Sequence, residues 1–222
     1  MISVPELIVF DLDGTLADTI EDIAVSVNRV LSRFGLAQYD SATYKHMVGD
    51  GFRVLIERCL PPATLRDEAL FTQVFESAMS EYTAHCLEKT KSFPGMLTTL
   101  EALSKKGIPR AVLSNKPDDM SKLIVQSLFK DISFVAVWGN SPERPRKPDP
   151  TAVLKICSMV AAQPEHSLFV GDSGVDMKTA RAAGMVGVGA LYGYRSREEL
   201  KMAGADFFIA SPEDLLSLIG VT

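Results

Sequence analysis

A short stretch near the start of the chain, Val9-Phe-Asp-Leu-Asp-Gly-Thr-Leu-Ala-Asp-Thr19, indicates both the fold and its chemistry. An apolar run ends there in two carboxylates, Asp11 and Asp13, and no lysine or arginine precedes Arg29. Apolar runs that end in Asp and Gly are typical of buried strands that lead into a tight turn. The stretch therefore raises the question of what neutralises two carboxylates at the end of a buried strand.

Short apolar runs recur along the chain, at residues 7–10, 111–113, 134–138, 168–170, 186–191 and 207–210. Most are separated by segments in which apolar residues recur at helical spacing. Gly107 and Gly184 stand where two of these helices should end, and Pro117 and Pro150 where two should begin. The alternation predicts an α/β fold, a doubly wound, Rossmann-like parallel sheet with helices on both faces.

One interval, residues 17–89, breaks the alternation because no part of it reads convincingly as a strand. Its apolar residues form three helically spaced stripes that begin at Ile20, Val54 and Leu70. We interpret this interval as an all-helical bundle inserted after the first strand, where it would act as a cap. The expected domains are a discontinuous α/β catalytic core, 1–16 with 90–222, and a helical cap domain, 17–89.

The composition excludes several classes of protein. The 222 residues are 46% hydrophobic, which is enough for a full core, and the net charge of −5 disfavours nucleic-acid binding, which requires a basic face. The three cysteines are scattered outside any CxxC spacing, so neither disulfides nor a zinc site is expected. No leader pattern or membrane-spanning stretch is apparent, so we expect a cytoplasmic protein with no membrane partner. Oligomeric state, monomer or homodimer, is left open.

Polar side chains follow several of the predicted strands. Asp11 and Asp13 follow the first, Ser114-Asn115-Lys116 the second, Lys147 lies in the proline-rich loop after the third, and Asp172 and Asp176 follow the fourth. Taken singly, each set has a structural explanation: an Asp-Gly turn, a helix N-cap, or a solvated loop lysine. Because ligands bind outside the carboxyl ends of parallel strands, their common placement indicates one site instead.

These residues resemble the sequence motifs of haloacid dehalogenase superfamily phosphatases with a helical cap, especially the phosphoglycolate-phosphatase-type branch. The matching segments, in order, are "DLDGT", Ser114, Lys147 in "KPDP" and "GDSGVD". The resemblance implies that Asp11 attacks phosphorus to form an aspartyl-phosphate, and that Asp13 is the general acid and base. It also implies that Ser114 and Lys147 hold phosphoryl oxygens, with Asn115 among the substrate-binding residues.

The same resemblance implies a Mg²⁺ cofactor, a hard cation that prefers oxygen ligands. Its expected ligands are Asp11, the backbone carbonyl of Asp13, and Asp172. Asp176 is expected behind them, where it would orient Lys147 or a metal-bound water. This cation, together with Lys147, would neutralise the carboxylates of the opening stretch.

The residues after Asp13 are expected to lead out of the site and into the cap. Gly14 and Thr15 suit a turn, and the Thr15 hydroxyl should satisfy a nearby backbone or carboxylate group. Asp18 and Glu21 fit a capping box at the start of the first cap helix.

Substrate choice is expected to depend on the cap. The segment "MVGDGFRVL" resembles the specificity loop of the family, in which Gly49 and Gly51 would let a ligand approach and Arg53 would reach a substrate carboxylate. Asp50 is unusual beside an anionic ligand, and an ordinary helix–helix turn remains an alternative.

The leading functional hypothesis is a Mg²⁺-dependent phosphatase acting on a small phosphate monoester such as 2-phosphoglycolate. One alternative is a sugar-phosphate mutase, and others are a receiver-like phospho-acceptor switch and a catalytically silent binding protein. A receiver domain needs no helical insert of this size, and its Asp pattern differs.

Overall fold

The structure is a computed structural model that describes residues 2–221. Within these residues the chain forms two compact units, residues 19–91 and residues 2–18 with 92–221. The expected domains were 1–16 with 90–222 and 17–89. Their roles as catalytic core and cap stay a prediction. No helix within residues 2–221 is both long and apolar enough to cross a membrane.

The larger unit alternates strands and helices. In chain order its strands are β1 (Leu7–Phe10), β2 (Ala17–Asp18), β4 (Arg110–Pro117), β5 (Val137–Asn140), β6 (Ser167–Gly171), β7 (Val186–Ala190) and β8 (Phe207–Ile209), with β3 (Lys91–Ser92) at the boundary between the units. Its helices are α6 (Met96–Lys105), α7 (Asp118–Leu128), α8 (Thr151–Met159), α9 (Gly174–Ala183), α10 (Arg197–Ala203) and α11 (Asp214–Leu218).

Six strands form one parallel sheet in the order β5-β4-β1-β6-β7-β8. The first strand along the chain is thus central, with β4 on one side and β6 on the other. Doubly wound sheets have this kind of order, since the chain starts in the middle and winds outward both ways. The predicted α/β class is confirmed.

The core lies on both faces of this sheet, because successive side chains of a strand point to opposite sides. Ile8 and Phe10 pack on one face with residues of α6, α7 and α11. Leu7 and Val9 pack on the other face with residues of α8 and α9. All four side chains of β1 are buried, as an unbroken apolar run in a parallel sheet predicts.

The smaller unit is helical: α1 (Ile20–Arg33), α2 (Ser41–Met47), α3 (Phe52–Cys59), α4 (Pro62–Arg66) and α5 (Glu68–His85). α1 packs along α5, and both bury an apolar stripe that includes Val27, Leu31, Val74 and Tyr82. The buried Asp22 carboxylate accepts hydrogen bonds from the main-chain N–H groups of Lys89 and Thr90, which fixes the end of the unit beside its start.

Three local expectations were wrong. The interval 17–89, expected to hold no strand, begins with the two-residue strand β2. The third strand begins at Val137 instead of residue 134, and the Phe134 ring packs against Phe129 ahead of the strand, with centroids 6.3 Å apart. Asp18 does not cap α1, whose N-cap is Thr19. The Asp18 carboxylate instead accepts a hydrogen bond of 3.1 Å from the hydroxyl of Tyr194.

Candidate active site

The side chains singled out by the sequence lie at the carboxyl ends of three neighbouring strands, β4, β1 and β6. Asp11 follows β1 and Asp172 follows β6, while Ser114 lies in the C-terminal half of β4. Since adjacent parallel strands are only about 5 Å apart, their end residues are brought into one group. Positions far apart in the sequence therefore meet at this edge of the sheet.

Lys147 lies at the centre of the group. Its Nζ is 2.9 Å from Asp11 Oδ1 and 2.7 Å from Asp176 Oδ1. The lysine side chain is 2% exposed, and the carboxylates are 8% and 0% exposed, respectively. The predicted loop lysine is thus a buried cation shared by two carboxylates, and the alternative of a solvated lysine is wrong.

Asn115 fixes the main chain at Lys147. Its side-chain Oδ1 accepts from Lys147 N at 2.9 Å, and its Nδ2 donates to Lys147 O at 3.1 Å. The two hydrogen bonds tie the loop that carries the lysine to β4. Binding of substrate by Asn115 stays a prediction.

Asp176 is fixed from both of its oxygens. Its Oδ1 contacts Lys147 Nζ, while its Oδ2 accepts from Ser173 N at 3.0 Å and from Ser173 Oγ at 2.6 Å. This arrangement is a capping box in which Ser173 is the N-cap of α9. The start of α9 and the ammonium of Lys147 are therefore held by the same carboxylate.

Asp172 is enclosed by the turn after β1 and the loop after β7. Thr15 Oγ1 donates to its Oδ1 at 3.1 Å, and Tyr194 N donates to its Oδ2 at 2.8 Å. A Cβ on Gly14, where φ is +80°, would lie 2.3 Å from Asp172 Oδ2, and one on Gly193 would lie 2.2 Å from Asp172 Cβ. Glycine is required at both positions because the backbone approaches this carboxylate so closely. The expectation that the Thr15 hydroxyl satisfies a carboxylate group is confirmed.

Three buried carboxylates, Asp11, Asp172 and Asp176, have ligand oxygens within 4.8 Å of one another. Burial, followed by the negative charge of Asp176, raises the pKa of Asp11 to about 7, although Lys147 opposes the shift. Burial, together with Asp176 and Asp11, also holds the pKa of Asp172 well above its usual range. Burial alone would lower the pKa of Lys147, but the two neighbouring carboxylates more than offset it and raise the pKa.

The residues present fit a metal ion. One ammonium does not balance three clustered carboxylates, and all of the clustered donors are oxygens, which hard divalent cations prefer. Oxygen atoms of Asp11 and Asp172, with the backbone carbonyl of Asp13, are the groups that would hold such an ion. Asp176 has both oxygens engaged by protein groups and would support the site through Lys147 and Ser173.

Asp13 is hydrogen-bonded to a second lysine, Lys116. Lys116 Nζ donates to Asp13 Oδ1 at 2.9 Å and to Oδ2 at 3.1 Å. Sequence reasoning placed Lys116 at this end of the sheet with Ser114 and Asn115 but gave it no role in the site. Strand alternation was the signal that points to it, because Lys116 is two residues beyond Ser114 and so lies on the same side of β4.

Ser114 lies inside β4 and is buried, and its Oγ accepts a hydrogen bond of 3.3 Å from Lys116 N. The alternative reading of Ser114 and Asn115 as an N-cap is wrong, since the N-cap of α7 is Pro117. The hydroxyl stands at the strand end with the other site residues. Contact with a phosphoryl group stays a prediction.

The predicted cap residues belong to the helical unit. Gly49 and Gly51 have φ values of 117° and 98°, and α3 starts directly after Gly51. Arg53 Nε lies 3.0 Å from Glu57 Oε1, and its guanidinium lies 4.6 Å from the centre of the Phe71 ring.

Asp50 forms an ion pair with Arg58, which also donates to the carbonyl oxygen of Met47. The carboxylate that seemed unusual in this loop therefore has its charge offset within the unit.

Known proteins resemble the chain in sequence and in structure. The sequence model of one family, described as haloacid dehalogenase-like hydrolase, matches residues 8–190. The phosphoglycolate phosphatase of Pseudomonas putida is 36% identical over 195 residues, which cover 86% of this chain and 71% of that protein. The phosphoglycolate phosphatase of Aquifex aeolicus is 35% identical over 213 residues, which cover 96% of each.

The structure is similar to the crystal structure of a predicted phosphoglycolate phosphatase from Haemophilus somnus, with a TM-score of 0.89 and 29% sequence identity. The similarity covers 96% of this chain and 97% of that chain. The helical insert after the first strand is consistent with the cap that the sequence predicts. The family match spans the whole sequence region from β1 to β7, and with the strand-end carboxylates and Lys147 it shows that the chain belongs to the haloacid dehalogenase-like hydrolases.

Proposed function

We propose that this hydrolase is a Mg²⁺-dependent phosphatase that cleaves a small phosphate monoester through an aspartyl-phosphate, with 2-phosphoglycolate as the first substrate to test. The observation that carries the proposal is the pairing of Lys147 Nζ with Asp11 Oδ1 at 2.9 Å, within the cluster of buried carboxylates. The names of the relatives support the substrate class.

In the first step, a carboxylate oxygen of Asp11 attacks phosphorus. The bond between phosphorus and the leaving oxygen breaks, and its electron pair goes to that oxygen, which takes a proton from Asp13. The products are an alcohol, phosphorylated Asp11 and the Asp13 carboxylate. Covalent catalysis of this kind divides one difficult hydrolysis into two easier steps.

In the second step, Asp13 accepts a proton from a water molecule as the water oxygen attacks phosphorus. The phosphorus–oxygen bond to Asp11 breaks, and its electron pair returns to the carboxylate. Inorganic phosphate leaves, and Asp13 is again protonated for the next cycle. A positioned acid and base typically contributes about 10²–10⁴-fold to the rate.

Lys147 and Ser114 are proposed to contact the phosphoryl oxygens, where Lys147 offsets the negative charge that grows in the transition state. Bound Mg²⁺ would supply further charge stabilisation at the same oxygens. Asn115 and Asp176 hold Lys147 in place from its main chain and its ammonium, respectively. Thr15 acts similarly on Asp172 through the hydrogen bond from its hydroxyl.

The helical unit is proposed to act as a cap that selects the substrate. Gly49 and Gly51 would allow a ligand close to the backbone, and Arg53 would bind a substrate carboxylate. Its present ion pair with Glu57 lies on one helix and is exposed, so its loss would cost little.

Phosphate release by the purified protein tests the proposal. We expect turnover of 2-phosphoglycolate within a panel of phosphate esters when Mg²⁺ is present, and loss of turnover with a chelator. Asp11→Asn should abolish phosphate release, while Asp119→Asn, at an exposed position at the start of α7, serves as the matched control. No turnover of any ester, an active Asp11→Asn variant, or an isomerised product instead of free phosphate would contradict the proposal.

A further inference from the structure

Asp13 is hydrogen-bonded to Lys116, a lysine outside the four sequence segments that match the family motifs. Lys116 Nζ lies 2.9 Å from one Asp13 carboxylate oxygen and 3.1 Å from the other. The lysine side chain is 3% exposed and that of Asp13 is 18% exposed. An ammonium bonded to both oxygens resists rotation of the carboxylate, because any other orientation lengthens at least one hydrogen bond.

The position of Lys116 is set by rigid structure. It is the penultimate residue of β4, which pairs with β5 on one side and β1 on the other. Its main-chain N–H donates to Ser114 Oγ, and its carbonyl accepts from Ser121 Oγ of α7. The ammonium therefore projects from an interior strand of the sheet, and sites on strands are positioned more accurately than sites on loops.

The two lysines of the site have different carboxylate partners. Lys147 contacts Asp11 and Asp176, whereas Lys116 contacts Asp13. Asp11 and Asp13 are thus each paired with a buried lysine from a later part of the chain.

We propose that Lys116 is a positioning residue, which holds the Asp13 carboxylate in the orientation needed for proton transfer with the leaving oxygen and the attacking water. This inference rests on the proposed phosphatase function. Asp13 gives its proton from one oxygen while Lys116 stays bonded to the other, and Lys116 itself remains an ammonium throughout. Lys116 acts only through Asp13.

The test uses the dependence of the rate on the leaving group. A p-nitrophenolate leaves without much help from an acid, whereas an alkoxide needs a proton. Because kcat/KM reports only the steps up to the phosphorylation of Asp11, we expect Lys116→Met to lower kcat/KM for 2-phosphoglycolate by about 10²-fold and that for p-nitrophenyl phosphate by less than about tenfold. Lys116→Arg should restore part of the loss, and Lys122→Met, an exposed lysine of α7, should leave both rates unchanged.

A double variant separates positioning from general structural damage. In the Asp13→Asn background, adding Lys116→Met should cause no further loss, because the lysine no longer has a proton-transferring group to orient. The comparison also tests the inference if Lys116→Met alone does not fold. The double variant has no Asp13 carboxylate, so no carboxylate is left there without its cation.

Equal losses of kcat/KM for the two esters, or a further loss of tenfold or more in the Asp13→Asn background, would overturn the inference while leaving the phosphatase proposal intact. Wild-type protein that hydrolyses neither ester would overturn the phosphatase proposal itself, and the role of Lys116 with it.

Discussion

Lys147 Nζ lies 2.7 Å from Asp176 Oδ1, with neither side chain more than 2% exposed. Asp176 also accepts two hydrogen bonds from Ser173, so the position of the ammonium depends on the start of α9. A buried cation in this arrangement must be held by polar groups on several sides, since desolvation of both charges is costly. Lys147 and the start of α9 therefore belong to one hydrogen-bonded network.

Replacement of Lys147 by methionine should strongly destabilise the protein. It leaves the buried carboxylates of Asp11 and Asp176 without their shared cation, and loss of one partner of a buried ion pair typically costs about 3–5 kcal/mol. Denaturant unfolding measures the loss. Lys178→Met, at an exposed position of α9, is the matched control and should change the unfolding free energy by less than about 0.5 kcal/mol. Equal stabilities of the two variants would contradict the burial argument.

Mg²⁺ should raise the thermal midpoint more at high pH than at low pH. Burial raises the pKa of Asp11 to about 7 in the metal-free protein, so the folded state binds a proton that the unfolded state has already released. The metal-free protein therefore loses stability as the pH rises from about 4 to about 7, and Mg²⁺, which needs deprotonated ligands, binds better over the same range.

The measurement is the Mg²⁺-induced shift in thermal midpoint at about pH 5.5 and about pH 8, which lie on either side of the raised pKa. Asp172→Asn should reduce the shift at both pH values. The same shift at both values in the wild type would count against the metal site.

Gly14→Ala should damage the site much more than a comparable glycine substitution elsewhere. Gly14 and Gly107 both have left-handed backbone conformations, with φ of 80° and 67°, so both alanine variants carry similar backbone strain. Of these two positions, Gly14 is the one at which the added Cβ would meet Asp172, at 2.3 Å. Nothing lies within 4 Å of a Cβ on Gly107.

We therefore expect Gly14→Ala to be less stable than Gly107→Ala by about 1–3 kcal/mol and to respond less to Mg²⁺. Unfolding curves with and without Mg²⁺ provide the comparison. Matching curves for the two variants would show that the Asp172 side chain moves aside at little cost. The close approach of Gly14 would then not contribute to stability.

Arg53→Gln tests the proposed substrate contact of the helical unit. If Arg53 binds a substrate carboxylate, its loss should raise KM for 2-phosphoglycolate by about tenfold or more, the usual effect of losing a hydrogen bond to a charged group. kcat should change little. A phosphate ester without a carboxylate, such as ethyl phosphate, is the control substrate, and a similar rise in KM for it would argue against carboxylate binding.

Much of the fold was predictable because local patterns specify it. The apolar run of β1 is matched by a strand at Leu7–Phe10, and Pro117, Pro150 and Gly184 mark helix ends where the structure has them. Each of these signals acts within a few residues of the chain. The start of β5 was mispredicted because a partly buried apolar residue such as Phe134 suits both a strand and the segment that packs ahead of one.

The sequence by itself determined the fold class, the family and the membership of Asp11, Asp172 and Asp176 in one cluster, because strand ends in a parallel sheet must converge. Only the tertiary structure decided which charges meet. Lys147 is shared by Asp11 and Asp176, while Lys116 takes Asp13, a partner 103 positions away in the chain. The physical reason is that ion pairing depends on ångström-scale distances between side chains of different strands, and these are set by sheet register and loop anchoring.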